Sequence, residues 1–306
     1  MIIYKNSKID KKFKRSVIAI GNFDGLHLGH KKVLDQAKLK AKKNKIKFGV
    51  VTFEPMPVMF FNNKIKNHRI NNLNQKVLFL KKFKLDFMRI IKFNRKFSKL
   101  TPEKFIKNII YKNINCKFIY VSKNFRFGNK RKGNINTLKK YEKIFSYKTI
   151  ISKPLKRNNK VLSSSIIRKK ISSAQLGKVK FFLGRNWSIE GRVVQGKKRG
   201  RKIGFPTCNI NLKDYVLAKT GVYAVKVYKE KSIYFLRGIA NLGYRPTFNQ
   251  KKILLEVNIF NFSGNLYNKK LTVEFVKFIR EEKKFKGIKQ LRKQIKLDLK
   301  IAKKIK

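Results

Sequence analysis

Acidic residues are scarce in this chain: 15 Asp and Glu stand against 79 Lys and Arg, a formal net charge of +64 at pH 7. Cysteine is nearly absent. Cys116 and Cys208 are the two present, too few for a disulfide framework, which points to a reducing, cytoplasmic setting. Histidine numbers 3, and without cysteines nearby His27 and His30 argue against a zinc site. No apolar run reaches the roughly 18 residues that a membrane span needs. The N-terminal stretch MIIYKNSKIDKKFKR is charged and lacks the apolar core of a secretory signal. A soluble, cytoplasmic protein is expected. The sequence carries no signal of oligomeric state.

An excess of lysine alone suggests nucleic-acid binding, because phosphate neutralisation drives that affinity. These lysines form neither a tail nor a stripe. They are spread through nearly every segment beside abundant Asn, Ile and Phe, a mixture that reads as drift toward AT-rich codons. The expectation is a solvated basic surface with no specific nucleic-acid site and nonspecific binding at low salt. Hydrophobic residues make up 42%, which excludes wholesale disorder. At 306 residues the chain has room for two domains.

Residues 1 to about 150 alternate in type. Strands are expected at Ser16–Ile20, Phe48–Phe53, Phe87–Lys92, Phe118–Ser122 and Lys148–Ser152. Between them fall a helix through Lys43 with Val33, Leu34, Ala37 and Ala41 on one face, a helix over Asn74–Lys84, a helix start at Thr101-Pro102-Glu103 and a helix over Asn136–Phe145. Such alternation implies a parallel sheet covered by helices. Ser163–Ser173 and Ala174–Leu183 read as two closing helices. After Trp187 come β-rich runs, Ile189–Val194, Val222–Tyr228, Ile233–Ala240, Leu254–Phe260 and Leu271–Phe278, which argue for an antiparallel barrel or sandwich. From Gly287 onward a basic amphipathic helix puts Ile288, Leu291, Ile295, Leu299 and Ile301 near one face. The expected division is residues 1–184 and 185–306.

Two constellations carry chemistry. The string Ala19–His30, AIGNFDGLHLGH, runs from a strand through a glycine-rich turn to a helix N-terminus. Free N–H groups and the helix dipole bind anions there, glycines let backbone approach a phosphate, and His27 and His30 can point the same way. That arrangement suits nucleotidyl transfer, which depends on positioning and charge stabilisation. Ser163-Ser164-Ser165-Ile166-Ile167-Arg168 opens a helix with hydroxyls and adds an arginine one turn later; alone it is an ordinary serine cap. In the second half Gly196–Gly204 holds three glycines and five basic residues, able to fold over polyphosphate although it is no Walker loop. Thr207 and Asn209 come next, two apart on one strand face, as oxygen ligands suited to magnesium. Glu256 lies within an apolar strand, where alternation alone would leave it on the solvent face.

Together these segments resemble the bacterial bifunctional riboflavin kinase/FMN adenylyltransferases, also called FAD synthetases. The resemblance runs over essentially the whole chain through GNFDGLHLGH, TFEPMP, NFRFG, SSSIIR, GRVVQGKKRGRKIGFPTCN, GVYAV, GIANLGYRPTF, LEVNIFNFSGNLY and IREEKKF. It implies a Rossmann-like adenylyltransferase domain and then a six-stranded kinase barrel with a C-terminal helix. It implies riboflavin, FMN and ATP as substrates and Mg2+ as cofactor. By that resemblance His27 and His30 contact the ATP phosphates, and Gly21, Phe23, Asp24, Gly25 and Gly29 wrap the nucleotide. Ser163, Ser164 and Arg168 hold pyrophosphate, and Asn124 and Glu54–Pro57 lie near the flavin. Gly204 belongs to the phosphate loop, Thr207 and Asn209 carry magnesium and ATP, and Glu256 is the general base. The chain departs from the family pattern at Met56, usually His, and at Ser122 and Asn268, usually Gly. Competing readings are an adenylyl- or cytidylyltransferase for another substrate, a basic RNA-binding protein on an enzyme scaffold, and a bifunctional fold with one activity decayed.

If the charge is generic surface, affinities for unrelated RNA and DNA oligomers should fall together and steeply across a salt series. A sequence preference that survives physiological salt would overturn that expectation.

Overall fold

A computed structural model describes the chain apart from residues 6–7, 63–64, 66, 158–159, 197–198, 213, 231, 248–249 and 306. The chain divides into two compact units, Met1–Lys66 with Leu73–Ser163, and Asn67–Asn72 with Ser164–Lys306.

The first unit is built on six parallel strands, β1 (Ile2–Tyr4), β2 (Val17–Ile20), β3 (Phe48–Glu54), β4 (Phe87–Lys92), β5 (Phe118–Ser122) and β6 (Lys148–Ser152), in the order β1-β4-β3-β2-β5-β6. The central strands are continuous apolar runs, as strands covered on both faces must be. Side chains alternate between two cores. Ile18, Ile20, Val51, Phe53, Ile119 and Val121 enter one, and Val17, Ala19, Phe48, Val50, Phe118 and Tyr120 enter the other. The helix Leu28–Lys43 buries Leu34, Ala37 and Ala41 in the second core. Thr101 caps its helix as expected, accepting from Lys104 N at 3.2 Å with Pro102 at the first position.

Some bounds differ from expectation. The helix near residue 74 spans Leu73–Lys81, and the one near 136 spans Ile135–Lys140, opened by a reciprocal Asn134–Thr137 cap. β1 was not expected, because three residues are too few to show a period. A small hairpin, β7 (Lys156–Arg157) with β8 (Lys160–Val161), precedes Ser163.

In the second unit, the helices Ser164–Ser172 and Leu176–Leu183 accompany a closed antiparallel barrel. Its strands are β9 (Trp187–Val194), β10 (Cys208–Asn211), β11 (Gly221–Lys229), β12 (Phe235–Thr247), β13 (Gln250–Ile259) and β14 (Lys270–Arg280), ordered β10-β13-β12-β11-β14-β9. The expected run Ile233–Ala240 starts later, at Phe235, because Ile233 and Tyr234 form the exposed tip of the β11–β12 hairpin. The C-terminal helix Ile288–Lys304 packs on the barrel's outer face, with Leu299 and Ala302 against Val222, Ala224 and Ile239. Of its expected apolar face, Ile288 and Ile301 instead stay 63% and 47% exposed.

One ion pair ties that helix down. Arg280 Nε donates to Asp298 Oδ1 and Oδ2 at 2.9 and 3.0 Å, Arg280 Nη2 donates to Oδ2 at 2.7 Å, and Gln294 Nε2 donates to Oδ1 at 2.9 Å. Asp298 is only 2% exposed. Removing one partner strands the other charge, so Asp298→Ala should cost about 3 kcal/mol in denaturant unfolding. A loss below about 0.5 kcal/mol would show that the pair does not hold the helix.

Candidate functional site

In the first unit, β2 is the point where the chain reverses its progress across the sheet, with β3 on one side and β5 on the other. Open parallel sheets bind ligands at the carboxyl ends of strands beside such a reversal. The loops leaving those ends are Gly21–Gly29 after β2, Glu54–Pro57 after β3 and the turn holding Asn124 after β5. Gly21, Phe23, Asp24, Gly25, His27, Gly29, His30 and Asn124 therefore share one edge. Ser163 reaches it too: a Cβ on Gly29 would lie 3.7 Å from the carbonyl of Leu162, its chain neighbour. Ser164 and Arg168 belong to the second unit, where Arg168 Nε donates to the His68 carbonyl at 2.8 Å.

The two histidines are stacked, with ring centroids 3.7 Å apart and planes 19° off parallel. The backbone N–H of His30 donates to His27 Nδ1 at 3.3 Å, so His27 caps the helix Leu28–Lys43 and carries its proton on Nε2. Phe23 meets His30 edge-on at 5.4 Å. Burial first, then His27 and then the buried Lys76, hold His30 well below the ordinary histidine pKa. The uncharged His30 imidazole and the Nε2–H of His27, at a helix N-terminus, offer N–H donors to an anion. A Cβ on Gly29 would sit 3.1 Å from His27 Cε1 and Nδ1, a tight contact, so the glycine gives the His27 ring its room.

In the second unit, pairing across three strands aligns Asn209, Glu256 and Asn241 in one row. Directly paired residues face the same side of a sheet. Leu255 and Val257 are buried, so Glu256 points outward, as alternation requires. The outer face is roofed there. Glu256 and Asn241 line a cavity of about 550 Å³, together with Arg280, Phe285, Leu291 and Ile295 from the C-terminal segment. Thr207 lines this cavity and also a second one of about 450 Å³, bounded by Arg201, Cys208, Phe262 and Tyr267. Gly204 is exposed in the loop just before it. Asn209 is buried, and its Oδ1 makes no hydrogen bond among the described residues. A Cβ on Gly196 would come within 1.9 Å of Asn209 Nδ2, so the glycine leaves this amide its room. Cys208 is a hydrogen-bond donor to the Val257 carbonyl at 3.4 Å, its thiol pushed up to about 11 by burial. It is therefore no nucleophile at neutral pH.

Residues 9–166 match the FAD synthetase family and residues 183–306 the riboflavin kinase family. A bifunctional riboflavin kinase/FMN adenylyltransferase of Buchnera aphidicola subsp. Schizaphis graminum is 43% identical over 295 residues, covering 94% of this chain and 93% of its own. Its counterpart in Escherichia coli K12 is 34% identical over 284 residues, covering 92% and 90%. The chain belongs to the bifunctional riboflavin kinase/FMN adenylyltransferase family. A crystal structure from Streptococcus pneumoniae, described as a macrolide-efflux protein, superposes with a TM-score of 0.87 at 28% identity, covering 100% of both chains. Among the described residues of this chain no helix is long and apolar enough to cross a membrane.

Sequence reasoning did not single out Lys76, Asn241 or Arg280. Lys76 is one of 79 basic residues and nothing local marks it as buried. Asn241 and Arg280 lie inside the strings GIANLGYRPTF and IREEKKF, whose position in the resemblance was the available signal.

The depressed pKa of His30 has a signed consequence. The unfolded chain protonates it near about pH 6.5, while the folded chain keeps it neutral. Stability therefore falls as pH drops below that value, with no effect above it. Acidification from about pH 7 to 5 should destabilise the parent more steeply than the variant His30→Asn. Equal slopes in thermal melts across pH would remove this assignment.

Proposed function

We propose that the chain phosphorylates riboflavin to FMN with ATP at the barrel, and adenylylates FMN with a second ATP to FAD and pyrophosphate at the carboxyl edge of the parallel sheet. Adenylyl transfer is assigned to residues 1–184 and phosphorylation to residues 185–306, acting in the cytoplasm. The observation that carries the kinase half is Thr207, which borders both barrel cavities. A phosphoryl donor in one and an acceptor in the other would meet at that residue.

In the kinase step the Glu256 carboxylate takes the proton of the terminal ribityl hydroxyl. That oxygen bonds to the γ-phosphorus as the bond to the ADP oxygen breaks. The apolar and aromatic wall of the larger cavity, Phe285, Leu291 and Ile295, suits a flavin ring. The smaller cavity, with Arg201 beside Thr207, suits the nucleotide. Mg2+ fits the unsatisfied amide oxygen of Asn209 with the Thr207 hydroxyl two residues away, both hard oxygen donors. When bound it would offset phosphate charge.

In the adenylyl step a phosphate oxygen of FMN attacks the α-phosphorus of ATP, and pyrophosphate leaves. His27 and His30 donate to the phosphates at the positive end of their helix. Gly21, Phe23, Asp24 and Gly25 shape the turn around the nucleotide, and Asn124 lies at the flavin end. Ser163, Ser164 and Arg168 hold the departing pyrophosphate. No specific nucleic acid is a partner.

Incubation with riboflavin, ATP and magnesium, and then separation of the flavins, tests both steps. His27→Ala or His30→Ala should lower FMN-to-FAD conversion by about two to three orders of magnitude and spare FMN formation. Glu256→Gln should lower riboflavin phosphorylation by about two to four orders and spare FAD formation from supplied FMN. FAD made at the parent rate by both histidine variants, or normal phosphorylation by Glu256→Gln, would sink the corresponding assignment.

A further inference from the structure

The larger barrel cavity holds a second carboxylate, Glu282, for which the kinase step has no use. Strand register fixes its place. Asn241 pairs with Glu256, and Gly243 pairs with Leu254. Val257 and Ile259, which line the smaller cavity, lie beyond Glu256 in one direction along β13. Gly243 lies two residues from Asn241 in the other direction, on the same face of β12. The Glu282 carboxylate sits directly over it. A Cβ on Gly243 would collide with Glu282 Oε1 and would lie 3.4 Å from Asn241 Nδ2. The row along the outer face is therefore smaller cavity, then Glu256 with Asn241, then Glu282.

Glu282 is exposed, on the open side of the cavity. Its neighbour Glu281 pairs with Lys219, whereas Glu282 forms no hydrogen bond or ion pair among the described residues. In a chain of 79 basic and 15 acidic residues, an exposed carboxylate readily finds a cation. This one is laid across Gly243 instead, where it can accept from a ligand.

The spacing decides which donor it meets. With the terminal ribityl hydroxyl at Glu256 and the phosphoryl donor in the smaller cavity, the rest of the flavin must extend away from the nucleotide, past Gly243. Two residues along a strand cover about 7 Å. The inner hydroxyls of the ribityl chain fall within that span. The ring N–H lies at the far edge of the isoalloxazine, well beyond it, between two carbonyls that a carboxylate would repel. Phe285, three residues on in the same segment, lines the cavity for the ring.

We propose that Glu282 is a specificity residue of the kinase cavity, its carboxylate accepting a hydrogen bond from the 2′ or 3′ hydroxyl of the ribityl chain. Gly243 leaves the carboxylate its room. A site built to bond a substrate hydroxyl rejects analogues that lack it. The proposal rests on the reading that the larger cavity takes the flavin.

The test uses the full chain, the variants Glu282→Ala and Gly243→Ala, and three flavins: riboflavin and its 2′-deoxy and 3′-deoxy analogues. Gly243→Ala keeps the carboxylate but pushes it aside, so it checks the geometry independently of the charge. Quenching of flavin fluorescence gives each affinity. A hydrogen bond to a charged acceptor is worth about tenfold or more. The parent should bind one deoxy analogue about tenfold more weakly than riboflavin, and both variants should bind that analogue and riboflavin alike. In both variants KM for riboflavin should rise about tenfold, with kcat and KM for ATP within about twofold, the mark of lost uniform binding. Riboflavin affinity unchanged by Glu282→Ala would leave Glu282 a solvated rim residue and overturn the proposal. Equal weakening of all three flavins would place the carboxylate on the ring and overturn it too. A parent that binds no riboflavin would sink the reading of the cavity itself, and the subsite with it.

Discussion

The first unit depends on a single topological constraint, the reversal of strand order at β2. Because β3 and β5 flank β2 on opposite sides, the loops that leave their carboxyl ends diverge and leave a crevice. The glycine-rich turn occupies that crevice, and its shape comes from crowding. His27 caps the helix with Nδ1, which turns its ring across Gly29 and stacks it on His30. Capping, stacking and the missing side chain at Gly29 are one arrangement, so the two imidazoles are oriented before any ligand arrives. Burial then keeps His30 uncharged, and the positive field at this edge comes from the helix end and from Lys76.

The second unit meets the same need, a place for phosphate beside an apolar ligand, with different means. A closed barrel fills its interior with its own side chains, here Leu255, Val257, Tyr223 and Phe275, and leaves no room inside for a flavin. The cavity lies on the outer wall, and it exists because the C-terminal helix stands against that wall. The Arg280–Asp298 pair brings the helix down where β14 ends, while Phe285, Leu291 and Ile295 line the space kept open. Glu256 can face outward, in keeping with strand alternation, and still be screened from bulk water.

Strong periodic signals made most of this legible in the sequence. The continuous apolar runs of β2 to β5 and the strand-turn-helix string ending in His30 gave the sheet and its crevice without tertiary knowledge. Glu256 shows the limit: alternation assigned its face correctly, but only the distant C-terminal helix turns that face from solvent into a cavity wall. β10 escaped a firm reading because Cys208–Asn211 holds four residues, two of them polar, and pairs at long range with β13. The bonding of His68–Asn72 was invisible for a related reason. His68–Asn72 has no period and no regular structure of its own, and its partners lie about a hundred residues away. Lysines defeat sequence reading most completely here, since Lys76 cannot be told from its many solvated neighbours.

The departure at Met56 belongs to packing more than to chemistry. A histidine at this position could act on a ligand only through an accessible ring. Met56 is 1% exposed, so the side chain at this position is interior. The turn it opens is carried by backbone: its carbonyl accepts from Met59 N at 2.9 Å and Phe60 N at 3.1 Å, starting the short helix Pro57–Phe61. Neither bond depends on the side chain. A flexible thioether fills an irregular interior gap without leaving a buried polar atom to satisfy. A thioether at this position therefore costs the turn none of its backbone bonds. It leaves the stacked histidines, the capped helix end and Asn124 as the groups through which the first unit would act.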